Sequence, residues 1–290
     1  MKHFEYFSAH SAEEAVALLQ KYSPDALPIA GGTELLVRMK QNLIHPKVLV
    51  DITHVPEFQG IALTEGGLRI GSLVTHAEVA ASPLVRQFAP AVAAASGSVG
   101  AVQTRNLGTL GGNLVSCVPS IDSAPALLVL EAQAVVFGVN GRRQFPLTEL
   151  FVGPRCSSLT PAELLEAVII PRHNLGKPTC FSKFGRRKAL TIALVNAAAC
   201  VETNPERAHF SQVRLALGAV APTPIRAYTA EAYLAGKPIA QEVLLEAGRL
   251  AAEDAKPIDD FRASAEYRRH LIGVLTRRVI EGALAGMPKV

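Results

Sequence analysis

Two glycine-rich stretches carry the residue types that could hold a phosphate-containing ligand. The first, Ala-Gly-Gly-Thr-Glu at 30–34, follows an apolar segment typical of a buried strand and precedes residues 35–41, whose spacing predicts a helix. Glycine lets a ligand approach the main chain closely, and free N–H groups at a helix start favour an anion. A tight turn in which Thr33 caps the helix would explain the same residues without a ligand.

The second stretch, residues 104–114, repeats this chemistry about 80 residues later with three glycines, a threonine and an asparagine, and Arg105 lies near its start. Two such stretches, each flanked by apolar runs, favour the two halves of one diphosphate cradle, which needs no lysine. The chain contains neither G-x-x-x-x-G-K-[ST] nor G-x-G-x-x-G. The usual mononucleotide and Rossmann signatures are therefore absent.

The two stretches resemble the FAD-diphosphate loops of the flavin subunit of molybdenum hydroxylases. That family includes the medium subunit of carbon monoxide dehydrogenase and the FAD domain of xanthine dehydrogenase. Further segments match the family in order and spacing along nearly the whole chain, and the combination is more specific than any one piece. These segments are 119–127, 183–187, 217–224 and 260–269.

The resemblance implies a set of FAD contacts. The two stretches would hold the diphosphate from opposite sides, and Asp122 would accept a hydrogen bond from a ribityl or ribose hydroxyl. Lys183 would lie near the isoalloxazine and stabilise its anionic reduced form, since nearby charge tunes the ring. The main chain of Leu165 would touch the cofactor, and Ile192 would lie against the flavin face. The implied cofactor-binding residues are Ala30, Gly31, Gly32, Thr33, Glu34, Thr109, Leu110, Gly111, Gly112, Asn113, Asp122, Leu165, Lys183 and Ile192.

Simpler interpretations of some of these residues remain open. Asp122 could cap a helix over 120–130, and Lys183 could be a surface lysine on a strand. Thr191 stands where members of the family often carry aspartate, which leaves the choice of NAD as electron acceptor open.

No group of residues predicts a catalytic centre or a metal site on this chain. The histidines form no H-E-x-x-H motif, and His10, His54 and His76 fit polar surface or capping positions better than general bases. The four cysteines are far apart and form no C-x-x-C, so neither zinc nor iron–sulfur spacing is present. Scattered cysteines also indicate a reducing cytoplasm rather than a disulfide framework.

Composition excludes several classes of protein. Hydrophobic residues make up 49% of the 290, which is ample for a packed core. The balance of 29 Lys and Arg against 25 Asp and Glu is only mildly basic, so no nucleic-acid partner is expected, and the run 186–188 fits a solvated turn. No apolar leader and no uninterrupted apolar run of 18 residues occurs, so neither a signal peptide nor a membrane span is expected.

The pattern of elements predicts an α+β fold with two domains. Residues 1–175 form the first, with a β-α-β-α-β lobe over about 1–55 and a second lobe over 56–175. After a linker rich in helix breakers at 174–178, residues 178–290 show strands first and helices afterwards, which favours helices on one face of an antiparallel sheet. The resemblance implies a vanillyl-alcohol-oxidase/MurB (PCMH) type FAD domain and a C-terminal domain of the CO dehydrogenase flavoprotein type.

The resemblance also implies partners and a role. The chain would be the FAD-binding electron-transfer subunit of a cytoplasmic heterotrimeric oxidoreductase, and its partners would be a large molybdopterin subunit and a small [2Fe-2S] subunit. Electrons would pass through FAD to NAD, ferredoxin, a quinone or oxygen. The family's usual assembly, a dimer of heterotrimers, is also implied. Two alternatives stay open: a stand-alone FAD-dependent oxidase or dehydrogenase, and a non-catalytic nucleotide-binding module.

Overall fold

The computed structural model describes residues 2–287. Met1, in the predicted N-terminal strand segment, and residues 288–290, in the predicted C-terminal domain, lie outside the described residues. The strands are β1 Glu5–Ser8, β2 Ala26–Ile29, β3 Val48–Asp51, β4 Ile61–Thr64, β5 Gly67–Gly71, β6 Gln133–Gly138, β7 Gly141–Pro146, β8 Phe151–Gly153, β9 Cys156–Ser157, β10 Leu164–Pro171, β11 Thr179–Gly185, β12 Ala193–Thr203, β13 Phe210–Gly218 and β14 Ile225–Arg226. The helices are α1 Ala12–Lys21, α2 Leu35–Lys40, α3 His76–Ala81, α4 Pro83–Phe88, α5 Pro90–Gly97, α6 Val102–Leu107, α7 Leu110–Val115, α8 Ser123–Leu128, α9 Tyr228–Leu234, α10 Gln241–Asp254 and α11 Ala265–Ala285.

The first lobe is a three-stranded parallel sheet in the order β1-β3-β2. Helix α1 begins where the hydroxyl of Ser11 accepts a hydrogen bond from the amide of Glu14, and its apolar face, including Leu19, is buried. The β-α-β-α-β order matches the sequence prediction. Because β2 runs directly into the first glycine-rich stretch, this sheet sets the position of that stretch.

The second lobe is built on a five-stranded antiparallel sheet in the order β4-β5-β10-β6-β7, with the short helices α3 to α8 beside it. The sequence from Pro83 to about Ala95, with proline at the first position, predicts one helix. This prediction is wrong, because Pro90 divides the segment into α4 and α5. Proline cannot donate a hydrogen bond to the preceding turn, and the residue before it, Ala89, leaves the helical region with φ −148°.

The third part is a four-stranded antiparallel sheet in the order β11-β12-β13-β14, with α9, α10 and α11 after it in the chain. Strand β12 is buried on both faces. Ala198 and Cys200 belong to the core of the second lobe, whereas Val195 and Ala197 pack with the C-terminal helices. This two-sided burial explains the continuous apolar run of β12. The predicted α+β class, with an antiparallel sheet followed by helices, is confirmed.

One prediction about this sheet is wrong at its boundary. The segment from Leu190 to Val201 predicts a strand, but β12 begins only at Ala193, and Leu190 itself has a left-handed backbone with φ +51°. Residues 186–192 instead form an irregular segment that leads to the cavity described below. None of the helices within residues 2–287 is both long and apolar enough to cross a bilayer.

The breaker-rich segment after β10 is not a loose linker. Asn174 is fully buried and donates to the carbonyl oxygen of Leu130, while its own oxygen accepts from Arg214 at 2.8 Å. Arg214 lies on β13 and also pairs with Glu131. The connection is therefore held between the second lobe and the third sheet by buried hydrogen bonds.

Replacing Arg214 with leucine is expected to destabilise the fold. Its side chain is only 3% exposed, and removing one member of a buried charge network costs about 3 kcal/mol because its partners lose their hydrogen bonds. Urea denaturation of Arg214→Leu should show that loss in the free energy of unfolding. Arg249→Leu is the control, because Arg249 pairs with glutamates on the exposed face of α10. Equal effects of the two variants would contradict the structural role given to the Arg214 network.

Candidate cofactor-binding site

The two glycine-rich stretches, far apart in sequence, are in direct contact. A β-carbon at Gly31 would lie 1.7 Å from the carbonyl oxygen of Leu107, so only glycine fits this position. Beside this contact, a β-carbon at Gly108 would lie 3.3 Å from the hydroxyl oxygen of Thr33. The main chains of the first and second lobes therefore meet at this point, as the cradle hypothesis requires.

A cavity of about 540 Å³ opens beside this contact, and a second of about 750 Å³ shares part of its wall. The larger part of the predicted site lies in the wall of the first cavity, which is lined by residues of all three parts of the chain. Leu110 is not in this wall, because its side chain is fully buried in the core, and neither is Lys183. The predicted residues that line the cavity are Ala30, Gly31, Gly32, Thr33, Glu34, Thr109, Gly111, Gly112, Asn113, Asp122, Leu165 and Ile192.

The first stretch presents main-chain donors. Within residues 2–287, the amides of residues 32–35 donate to no protein acceptor. Gly32 has φ +68°, a conformation that favours glycine. Thr33 does not cap α2: the capping position is Glu34, whose side chain pairs instead with Arg155 of the second lobe. The simpler interpretation of Thr33 as a helix cap is therefore wrong, and the amides are available to an anion.

The second stretch differs from the first in this respect. It is not a loop but the end of α6 and the start of α7. Most of its amides already have protein acceptors: those of Leu110 and Gly111 donate to carbonyl oxygens at 2.9 and 2.8 Å, and that of Gly112 donates to the Thr109 hydroxyl at 3.1 Å. This stretch thus offers the Thr109 hydroxyl and the space beside Gly112 rather than a row of free amides.

Asp122 and Lys183, which the sequence suggested for separate roles, form one buried ion pair. The Lys183 ammonium lies 2.5 Å from the carboxylate and also donates to the carbonyl oxygen of Ser98 at 3.2 Å, and Asn196 donates to the other carboxylate oxygen at 3.0 Å. Burial raises the pKa of Asp122, and the lysine and amide oppose that rise. Asp122 occupies the N-cap position of α8, as the simpler interpretation expects, but its side chain makes no capping hydrogen bond; Lys183 is not a surface lysine, so that interpretation is wrong.

The carboxylates that line the cavity are each neutralised by a cation set back from its wall. Glu34 pairs with Arg155, Asp122 with Lys183, and Glu163 with Arg143 at 2.7 Å. The hydrogen bond from Arg143 holds the pKa of Glu163 below its usual range. Arg38, on α2, also lines the cavity, so an anion there would be attracted by this guanidinium as well as by main-chain donors.

Apolar side chains form another part of the cavity wall. Leu165 is almost completely buried on β10, whereas Ile192 is half-exposed in the segment before β12. Thr191, at the position where the family often has aspartate, also lines the cavity and brings no charge to it. An aromatic ring could be covered by these side chains.

Sequence reasoning missed several polar residues in the wall, among them Arg38 and Glu163, and two others are almost completely buried. Ser72 and His76 are 4% and 1% exposed, and the Ser72 hydroxyl oxygen and His76 Nδ1 have no hydrogen-bond partner in the described part of the chain. The expectation that His76 is a surface residue is wrong, whereas His10 and His54 are exposed. Burial, with a smaller effect of Arg105, lowers the pKa of His76 to about 4. The capping box at Thr75 and Glu78 predicts a helix start here, but not its contact with residues 108–109.

The described residues include no group of three or more His, Cys, Asp and Glu side chains arranged to hold a metal ion. The cavity wall combines main-chain amides, hydroxyls, a buried ion pair, the Arg38 guanidinium and apolar side chains. These groups suit a small molecule that has both an anionic part and an apolar part.

Comparison with known proteins gives the family. The sequence model of the FAD binding domain in molybdopterin dehydrogenase matches residues 2–173, and that of the CO dehydrogenase flavoprotein C-terminal domain matches residues 180–283. The chain belongs to this family of FAD-binding medium subunits of xanthine and CO dehydrogenases.

Individual relatives match over nearly their whole length. The xanthine dehydrogenase FAD-binding subunit of Escherichia coli O157:H7 is 33% identical, with 97% of each chain covered. The structure of CO dehydrogenase from Hydrogenophaga pseudoflava aligns with a TM-score of 0.94 at 32% identity, covering 98% of each chain. Quinoline 2-oxidoreductase from Pseudomonas putida 86 aligns with a TM-score of 0.92 at 31% identity, covering 99% of this chain and all of the other.

The buried His76 predicts a loss of stability in mild acid. An unfolded histidine takes up a proton near pH 6.5, but the folded His76 does so only near pH 4, so the free energy of unfolding falls as the pH is lowered through this window. At pH 5 this single group costs about 2 kcal/mol. Urea denaturation at pH 7 and pH 5 should show a smaller difference in His76→Asn than in the unmodified chain. The exposed His45→Asn is the control; a His76→Asn difference as large as that of the unmodified chain would contradict the assignment.

Proposed function

We propose that this chain is the FAD-binding electron-transfer subunit of a heterotrimeric molybdopterin hydroxylase or dehydrogenase. The observation that carries the proposal is the set of amides at residues 32–35, which have no acceptor within residues 2–287 and belong to residues that line the same cavity as Thr109 and Gly112. FAD would supply the redox chemistry, receiving electrons from [2Fe-2S] clusters on a partner subunit and delivering them to an external acceptor. The protein would orient the cofactor and set its electrostatic surroundings.

The first stretch would bind the diphosphate through its amides. The Thr109 hydroxyl accepts a hydrogen bond from Gly112 but keeps its own proton to donate to a phosphate oxygen. The glycine at position 112 leaves room beside that hydroxyl. These groups fit a diphosphate without help from a lysine.

Asp122 would accept a hydrogen bond from a sugar hydroxyl of FAD. A carboxylate has about four lone-pair sites, and Lys183 and Asn196 occupy two of them, so capacity remains on the side that lines the cavity. Lys183 would act on the flavin through this ion pair, and Leu165 and Ile192 would cover the ring at the apolar part of the cavity wall. This arrangement would orient the ring between the second lobe and the third sheet.

We propose that the other cofactors of the complex are held by partner subunits. A large subunit would hold molybdopterin and a small subunit the [2Fe-2S] clusters, as a dimer of heterotrimers in the cytoplasm, and NAD, ferredoxin, a quinone or oxygen would accept the electrons. Within this chain we propose an FAD domain over 1–175 and a C-terminal domain over 178–290, which is supported by the separate cores on the two faces of β12. A stand-alone FAD-dependent oxidase or dehydrogenase is the alternative, and turnover without partner subunits would support it.

Gly112→Val is expected to weaken FAD binding at least tenfold while preserving the fold. A β-carbon at this position meets only the Thr109 hydroxyl oxygen, at 3.0 Å, so the added methyl groups would occupy the space beside the proposed diphosphate. Fluorescence titration with FAD measures the effect. Gly153→Val is the matched control, because Gly153 lies in β8 outside the cavity wall and its β-carbon would have only ordinary contact with Cys156. Unchanged affinity in Gly112→Val would contradict the diphosphate position.

The complex itself provides the direct test of the proposed function. The chain should be co-purified with its partner subunits, and its visible spectrum recorded before the released cofactor is identified by chromatography. Flavin absorption bands and released FAD are expected. A complex that contains no FAD and takes up none when it is added would overturn the proposal.

A further inference from the structure

Two residues outside the glycine-rich stretches border the same cavity. Ser72 follows β5 directly, and His76 is the first residue of α3. Main-chain hydrogen bonds fix both residues to the second glycine-rich stretch. The amide of Gly111 donates to the carbonyl oxygen of Ser72 at 2.8 Å, and the amide of His76 donates to the carbonyl oxygen of Gly108 at 3.0 Å. Their positions are therefore set by the same contacts that build the cavity wall.

Neither side chain has its hydrogen bonds satisfied within residues 2–287. The Ser72 hydroxyl oxygen and His76 Nδ1 are buried without partners. Buried polar groups nearly always have a hydrogen-bond partner, and a group without one costs free energy. Two such groups in one cavity wall therefore indicate that a ligand supplies the missing hydrogen bonds. The imidazole also lies close to the lobe contact, because its Cδ2 is 3.7 Å from the position of a β-carbon on Gly108.

We propose that Ser72 and His76 are further contacts to the diphosphate of the bound cofactor. The inference rests on the proposed function, since it takes FAD as the ligand. A serine hydroxyl and an uncharged imidazole can each donate one hydrogen bond, and a phosphate oxygen accepts several. Both donors come from the connection between β5 and α3, so the diphosphate would be held by three segments rather than two.

The test compares Ser72→Ala and His76→Asn with a matched control in the complete complex. Ser96→Ala removes another buried hydroxyl without a partner in the described residues, but Ser96 lies in α5 and outside the cavity wall. After removal of the cofactor, each protein is titrated with FAD and with ADP, which carries the diphosphate but no flavin. Each site variant should bind both ligands about tenfold more weakly, by the loss of one hydrogen bond, and Ser96→Ala should bind them normally.

The outcomes separate this inference from the function on which it rests. If the unmodified complex binds no FAD, the proposed function itself fails. If it binds FAD and both site variants bind FAD with unchanged affinity, the diphosphate contact is wrong while the function stands. Weaker binding of FAD with unchanged binding of ADP would also overturn the inference, because the contact would then lie at the flavin end.

Discussion

The close contact between Gly31 and the Leu107 carbonyl oxygen is the constraint on which the rest of the site depends. No side chain fits between these two main chains, so the first and second lobes approach each other more closely there than packed side chains would permit. This approach brings residues 32–35, whose amides have no acceptor within residues 2–287, into the same cavity wall as Thr109 and Gly112. Gly31 thus serves the contact between lobes, whereas Gly112 leaves space in the cavity.

The third sheet is connected to the same cavity through Asp122 and Lys183. Lys183 lies on β11, Asp122 precedes α8, and the Ser98 carbonyl oxygen follows α5, so one ammonium group joins three segments. A buried ion pair contributes little net stability, because desolvation of the two charges offsets their attraction. The pair instead has a positioning role, because it fixes the carboxylate of Asp122, in the cavity wall, relative to the sheet that carries Lys183.

Local patterns predicted most of the elements, and contacts between distant segments explain most of the errors. A capping box at 11–14 predicts a helix to about residue 22, and apolar spacing predicts helices over 244–255 and 265–285. Helices α1, α10 and α11 lie there with ends within three residues of those predicted, because these signals are local. The pairing of Asp122 with Lys183, 61 residues apart, and the burial of His76 depend on how the lobes assemble. Similarly, the amides of the second stretch are occupied by carbonyl oxygens of Ser72 and Val74, which no local motif reveals.

The charges around the cavity leave the main chain and one arginine to attract an anion. Glu34, Asp122 and Glu163 in the wall each pair with a cation behind it. Arg38 also lines the cavity, and its charge acts over a longer range than the amide dipoles, which act at hydrogen-bonding distance. In the proposed arrangement, the amides of residues 32–35 would hold the diphosphate, while Asp122 and Lys183 would set part of the electrostatic surroundings of the flavin, whose charge changes with its redox state.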